Sequence, residues 1–434
     1  MSRVLVILAV FLVWAAPAQA FSKQSGTRTM GDGTSIAYDL YLPDGTAPVG
    51  GWPGVLVLHG LGGSKDDMAT IAGTFAAQGY AALAYTARGE GTSTGFLGLS
   101  GPDEISDERA MFDYFAGLPQ VSDLQIGAWG ISYGGGQIWD GLAAGIAYKA
   151  VDVVETWTDL FSALWPQNVA KSGIVLGFAK TVESRSPLIQ QYENDAVHST
   201  NMSAIKALVD PRSAYSKLSS IKTPVYMFQG RVDYAFDVSQ AENGFRLVGG
   251  PKKLYVGQFG HTPSTFPGPD VAYVLSQGVA WMDHWLKGAA NGIDKAPTVT
   301  IAAAAGSKRA TFAGLPKTKA LVLHSGMKLK TAVETFGVST IKVRVKSINT
   351  YPRLVATVIA GNHVITHGAI VPKVGMDTIR LANYVQHIAK GTRLTIRLGP
   401  DSGPLDIAYL GFADQKTISL GKATLTLQTL PKAL

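Results

Sequence analysis

"LQIGAWGISYGGGQIW", residues 124–139, places a serine between glycines where an apolar run gives way to a helical pattern. The G-x-S-x-G spelling carries little by itself, because "GTSTG" at residues 91–95 fits it equally well. Context separates the two. Such a serine is chemically useful on a strained turn between a buried strand and a helix. There its hydroxyl projects above the sheet edge, and the glycines let neighbouring backbone pack closely. "IGAW" before Ser132 reads as a buried strand, and Gly134, Gly135 and Gly136 followed by "QIWDGLAA" read as a close-packed helix start. Ser93 lies in "ARGEGTSTGFLG", a loop of glycine, threonine and charge with no helix after it. Ser132 is therefore the candidate nucleophile and Ser93 a loop serine.

Working outward, the same alternation of short apolar runs and helical patterns recurs. "GDGTSIAYDLYLP" (31–43) points to an opening hairpin, and "GVLVLHG" (54–60) to a buried strand. "SKDDMATIAGTFAAQG" (64–79) reads as a helix, with Ser64 and Asp67 as a capping pair and Gly79 as its stop. "YAALAYT" (80–86), "AVDVVETW" (150–157), "PVYMFQG" (224–230) and "KKLYVGQF" (252–259) supply further strands. Buried strands alternating with helices predict a mostly parallel sheet with helices on both faces, and the serine elbow set on it makes the expected fold that of an α/β hydrolase. The helical stretch at about 158–222 reads as a cap inserted over that sheet.

The helix "DVAYVLSQGVAWMDHWLKG" ends at Gly288, and "AANGIDKAP" reads as a linker. Beyond it "TVTIAAAA", "KALVLH", "IKVRVKSI", "RLVATVIA" and "GTRLTIRLG" are short and β-branched, as in an all-β sandwich. The expected organisation is a catalytic domain over residues 21–290 and a jelly-roll-like β-sandwich over 297–434.

Composition bounds the function. With 434 residues, 46% hydrophobic and 16% charged, the chain can bury large cores, which excludes disorder and coiled coil. The absence of cysteine removes disulfides, thiolate metal sites and cysteine nucleophiles. Residues 1–20, "MSRVLVILAVFLVWAAPAQA", read as a signal peptide cut after Ala20, with Arg3 ahead of a short apolar core. That core falls short of the roughly 20 residues of a membrane span. The mature protein is expected to be exported from a bacterial cell, with no transmembrane span. Residues 296–434 hold 18 Lys and Arg against 5 Asp and Glu, a surplus that makes this part basic and the remainder acidic. The basic part is expected to be a solvated face, with weak attraction to anionic envelope polymer as its sharper reading. No recognition motif for nucleic acid accompanies it.

A serine alone is a poor nucleophile and needs a base oriented by a third group. In this fold the chain order is serine, acid, histidine, each on a loop after a strand. Of the eight histidines, only His261 follows a strand end downstream of an acid that does the same. That acid is Asp233, directly after "VYMFQGR". Asp237 reads instead as the N-cap of the next helix, and Asp210 lies at the wrong end of its strand. The developing oxyanion needs donors. The backbone N–H of Tyr133 is one, and the loop after "VLVLHG" offers that of Leu61 as the other, with Gly60, Gly62 and Gly63 shaping the turn. Trp157, Phe161 and Trp165 cluster at the junction with the cap and are candidates for an apolar substrate pocket. The chain shows no clear acidic cluster to receive the free amino group of a peptide, and Glu155 is singled out as one candidate for that role.

"GISYGG" at the elbow, "RGEGTSTG", "GQFGH" around the histidine and "WMDHWLKG", together with the β-domain, resemble the Xaa-Pro dipeptidyl-peptidase and cocaine-esterase group of α/β hydrolases. The resemblance covers nearly all of the mature chain. It implies Ser132, Asp233 and His261 as the triad, with Tyr133 and the Leu61 loop as the oxyanion hole. Several members of that group place a tyrosine after the His-Gly strand end. Here Leu61 stands there, so only backbone can donate. The function expected is hydrolysis of small esters, amides or short Xaa-Pro peptides through an acyl-enzyme, with no metal or cofactor. The rival readings are an exported acyltransferase using the same triad and a non-catalytic envelope-binding protein on the same fold.

Overall fold

The computed structural model describes residues 21–412 and 417–434; the expected signal, residues 1–20, lies outside them. Among the described residues, ten strands form one sheet in the order β1-β2-β4-β3-β5-β6-β7-β8-β9-β10. They are β1 (Phe21–Thr29), β2 (Ser35–Pro43), β3 (Trp52–Leu58), β4 (Ala81–Tyr85), β5 (Val121–Ile131), β6 (Val151–Val154), β7 (Val225–Gly230), β8 (Lys252–Gly257), β9 (Val299–Ala302) and β10 (Arg309–Phe312). The opening hairpin β1–β2 is antiparallel, β2 runs antiparallel to β4, and the strands from β4 through β9 are parallel.

Continuous apolar runs make the inner parallel strands because both faces are covered. In β3, Leu56 and Leu58 face Met111, Phe115 and Ile138 of the helices Pro102–Ala116 and Tyr133–Ala143. Val55 and Val57 face Ile71 and Phe75 of the helix Ala69–Ala77 and Trp281 of the helix Val271–Lys287. Burying each such side chain stabilises the fold by about 1.5–3 kcal/mol. Gly288 ends the last helix in the left-handed conformation, at φ 70°. Ser64 and Asp67 bond to each other in a turn ahead of the first helix, which starts at Ala69.

Between β6 and β7 the helices Leu160–Leu164, Ser172–Val182, Pro187–His198 and Met202–Val209 form the cap. Their apolar faces pack on Tyr133, Trp157 and Phe236 at the C-terminal ends of the sheet strands. No helix among the described residues is long and apolar enough to cross a membrane.

The C-terminal region is a β-sandwich. One antiparallel sheet joins Lys319–Leu323, Thr417–Thr429, Thr340–Asn349 and Gly375–Arg380, and a second joins His363–Ile370, Leu354–Ala360 and Leu394–Gly399. Ile341, Val343, Leu425 and Leu427 of the first sheet share a core with Leu354, Val358, Ile365 and Leu394 of the second. One expectation is corrected. The change of texture at residue 297 is not the change of sheet, because β9 pairs with β8 and β10 with β9. Short β-branched runs look alike in either sheet, so residues 299–312 could not be assigned by pattern. The separate sheets begin at Lys319.

Residues of the C-terminal region outside those two sheets brace the C-terminal end of β7, ahead of Asp233. Val385 N–H donates to Arg231 O at 2.8 Å, the Arg231 guanidinium bonds the Glu334 carboxylate, and Asn383 N–H donates to Asp237 at 3.3 Å.

Candidate active site

Ser132 follows β5, Asp233 follows β7 and His261 follows β8, all at the C-terminal edge of parallel strands. Ser132 holds φ 52° and ψ −114°, a strained turn that starts the helix Tyr133–Ala143. The glycines permit it: a Cβ at Gly134 would lie 2.5 Å from Leu58 O, so only glycine lets the helix start approach β3. The elbow is clasped by its neighbour, since Ser132 N–H donates to Val154 O and Thr156 Oγ1 to Ser132 O, both at 2.8 Å.

The three side chains expected to act together are brought together. Ser132 Oγ lies 2.8 Å from His261 Nε2, and His261 Nδ1 lies 2.8 Å from Asp233 Oδ2. Asp233 is fully buried, and its other oxygen accepts the N–H groups of Ala235 and Phe236 at 2.9 Å. A carboxylate so held fixes the imidazole with Nε2 free to accept a proton from the serine. Burial pulls the His261 pKa down. The Asp233 charge, its hydrogen bond and the Glu155 charge outweigh that and raise it to about 9. Asp237 is the N-cap of the helix Val238–Leu247, accepting from Ser239 N–H, and Asp210 pairs with Lys206 in solvent. Ser93 is structural: its hydroxyl donates to Thr86 O and accepts from Ala37 N–H.

Leu61 and Tyr133 both line the cavity above Ser132. Among the described residues, neither backbone N–H donates to another group. Gly60 brings the loop against Ser132, where an added Cβ would sit 3.6 Å from Ser132 Cβ. Two buried side chains that the motif reading had left without a role hold this loop. His59 bonds Gly60 O at 2.7 Å and Ala87 N–H at 2.9 Å, and burial lowers its pKa, which keeps it neutral. Glu90 accepts the Gly62 N–H, and burial raises its pKa to about 7. Glu90 is the only acid in "RGEGTSTG", which was the signal available to find it.

The cavity over Ser132 has a volume of about 110 Å³ and is almost wholly apolar. Trp157 and Trp165 line it, with their indole N–H groups donating to Arg212 O and Ala196 O. Phe161 does not line it. Phe161 stacks behind Trp165 at 6.0 Å, and Phe178 of the cap takes the place at the wall, edge-on to His261. The charged lining residues are both engaged, Glu193 with Lys180 at 2.9 Å and Arg212 with the carbonyls of Gly98 and Leu208. Glu155, singled out for an amino group, is buried beneath His261 and does not line the cavity.

Glu155, Asp233 and His261 bring ligand atoms within 4.8 Å of one another. Both imidazole nitrogens are already engaged, one by Asp233 and the other by Ser132.

The family model for X-Pro dipeptidyl-peptidase (S15 family) matches residues 32–263. Among solved structures, a CocE/NonD family hydrolase from Staphylococcus aureus is 14% identical with a TM-score of 0.72, over 94% of each chain. An aminopeptidase from a marine sediment Thaumarchaeota archaeon is 13% identical with a TM-score of 0.66, over 95% of this chain and 96% of that one. An alpha-amino acid ester hydrolase is 13% identical with a TM-score of 0.64, over 96% and 97%. No curated protein matches the chain by sequence. At these identities the structural likeness speaks for the fold, whereas the family match spans more than half of the chain. The chain belongs to the X-Pro dipeptidyl-peptidase (S15) family and is a serine hydrolase on an α/β-hydrolase fold.

Proposed function

We propose that this hydrolase cleaves carboxylic esters with an apolar acyl group, using Ser132, His261 and Asp233 in two steps. His261 Nε2 accepts the Ser132 proton as Oγ attacks the ester carbonyl. The Leu61 and Tyr133 N–H groups hold the oxyanion. The alcohol leaves with the proton returned by His261, and an acyl-enzyme remains. Water, deprotonated by the same histidine, then releases the acid and regenerates Ser132.

The observation that carries the substrate class is the cavity. Its wall offers aromatic and aliphatic carbon and no unengaged carboxylate for the ammonium group of a dipeptide. At about 110 Å³ it has room for an acyl group of about four to six carbons, judged against the roughly 150 Å³ apolar cavity that takes benzene. The test compares kcat/KM on p-nitrophenyl butyrate and on an aminoacyl-proline p-nitroanilide, with Ser132→Ala as the blank. Ester turnover exceeding anilide turnover by about 10²-fold or more is expected. Ser132→Ala should lower kcat by about 10⁶-fold. Efficient anilide cleavage would place the enzyme with dipeptidyl-peptidases, and near-normal activity of Ser132→Ala would overturn the nucleophile.

A further inference from the structure

Glu155 stands at the end of β6, between the strands that present Ser132 and Asp233. Three costs meet at this one residue. Its backbone is left-handed at φ 49°, a region unfavourable for any residue but glycine. Its carboxyl is 2% exposed, and its Oε1 has no hydrogen-bond partner. Buried carboxylates and unsatisfied oxygens are rare in folded proteins unless something else requires them. What faces this carboxyl is His261, with Oε2 3.9 Å from Nδ1, the same nitrogen that Asp233 holds at 2.8 Å.

We propose that Glu155 is a positioning residue, a second carboxylate that acts on His261 beside Asp233 and helps to set the basicity of the imidazole. This rests on the Ser132, His261 and Asp233 assignment above. Asp233 is committed by four N–H groups, from Ala235, Phe236, and the His261 backbone and ring, so it fixes the orientation. Glu155 makes no hydrogen bond to the ring and acts through its charge. The titratable groups facing Glu155 are His261 and Asp233. Burial raises its pKa and Asp233 adds to that, His261 opposes them, and the result is about 8. Its ionised form favours the imidazolium that forms when Ser132 attacks, and its neutral form does not. Thr156 and Val154, on either side of Glu155, bond to Ser132, so the same short segment supports the nucleophile and presents the charge.

The test is the pH profile of kcat/KM for wild type and Glu155→Gln on one ester, with melting temperatures recorded for both. A charge at this range moves a pKa by about 1–3 units. The acid limb of Glu155→Gln should move to lower pH by about one unit or more, in a protein that melts no lower than wild type. In the Asp233→Asn background, adding Glu155→Gln should cost a further tenfold or more in kcat/KM. An acid limb that stays in place, or no further loss in the double variant, overturns the proposal. If Ser132→Ala or His261→Ala keeps its activity, the triad assignment itself has failed, a separate result from an unmoved limb with an inactive Ser132→Ala.

Discussion

His261 sits between opposing influences, and their balance sets how the enzyme responds to pH. Burial disfavours the imidazolium, while Asp233 and Glu155 favour it and raise the pKa to about 9. The base must be neutral to accept the Ser132 proton, so kcat/KM should rise with pH, reach half its plateau near pH 9 and level off above that, with about one hundredth of the plateau at pH 7. An acid limb centred at the ordinary histidine value of about 6.5 would contradict this. The same groups make stability depend on pH. Glu155 keeps its proton to about pH 8 and His261 to about pH 9 in the fold, whereas the unfolded chain releases them near 4.5 and 6.5. The native state therefore binds more protons over this window. Their contribution is present in full below about pH 4.5 and is lost as pH rises through 8 to 9. At this scale the meeting of Ser132, Asp233 and His261 was legible in the sequence, because strand ends and chain order are both written there. The partnership of Glu155 with His261 was not, since it needs β6 and β8 to be seen meeting across β7.

Elements decide what reaches the serine. The elbow helix packs so closely on the β6 loop that a Cβ at Gly136 would lie 2.2 Å from the Trp157 ring, which fixes Trp157 as the cavity floor. Trp165 is held from the other side by the cap helix ending at His198 and by Phe161. Trp165→Ala should destabilise the protein by about 3–5 kcal/mol and shift the ester preference toward longer acyl chains. A chain-length series of p-nitrophenyl esters reads this, and an unchanged optimum in a folded variant would remove Trp165 from the acyl pocket. The sequence announced the cap as a helical insertion, and of the three aromatic residues proposed at its junction Trp157, just before the cap, and Trp165, within it, line the cavity. It could not tell Phe161 from Phe178, because both lie in apolar helical stretches and only the packing shows which face is turned to His261.

In the whole molecule the C-terminal region reaches back to the strand end that carries Asp233. Arg231, two residues before Asp233, is 5% exposed and meets fully buried Glu334 of the C-terminal region, which also accepts from His387 at 3.1 Å. Glu334→Gln leaves a buried guanidinium without its charge partner and should cost about 3–5 kcal/mol, with kcat falling as the Asp233 loop loosens. Denaturant unfolding with parallel assay checks this, and a variant with wild-type stability would show the pair to be dispensable. The basic C-terminal composition had announced a region of different character, but not that its strands reach back to hold the acid loop. The measurement that bears most directly on the mechanism is fluorophosphonate labelling of residues 21–434 followed by peptide mass mapping. A single stoichiometric adduct on Ser132, abolished in His261→Ala, is expected. A protein that takes no label, or takes it on Ser93 or another serine, would contradict the nucleophile and with it the two-step mechanism.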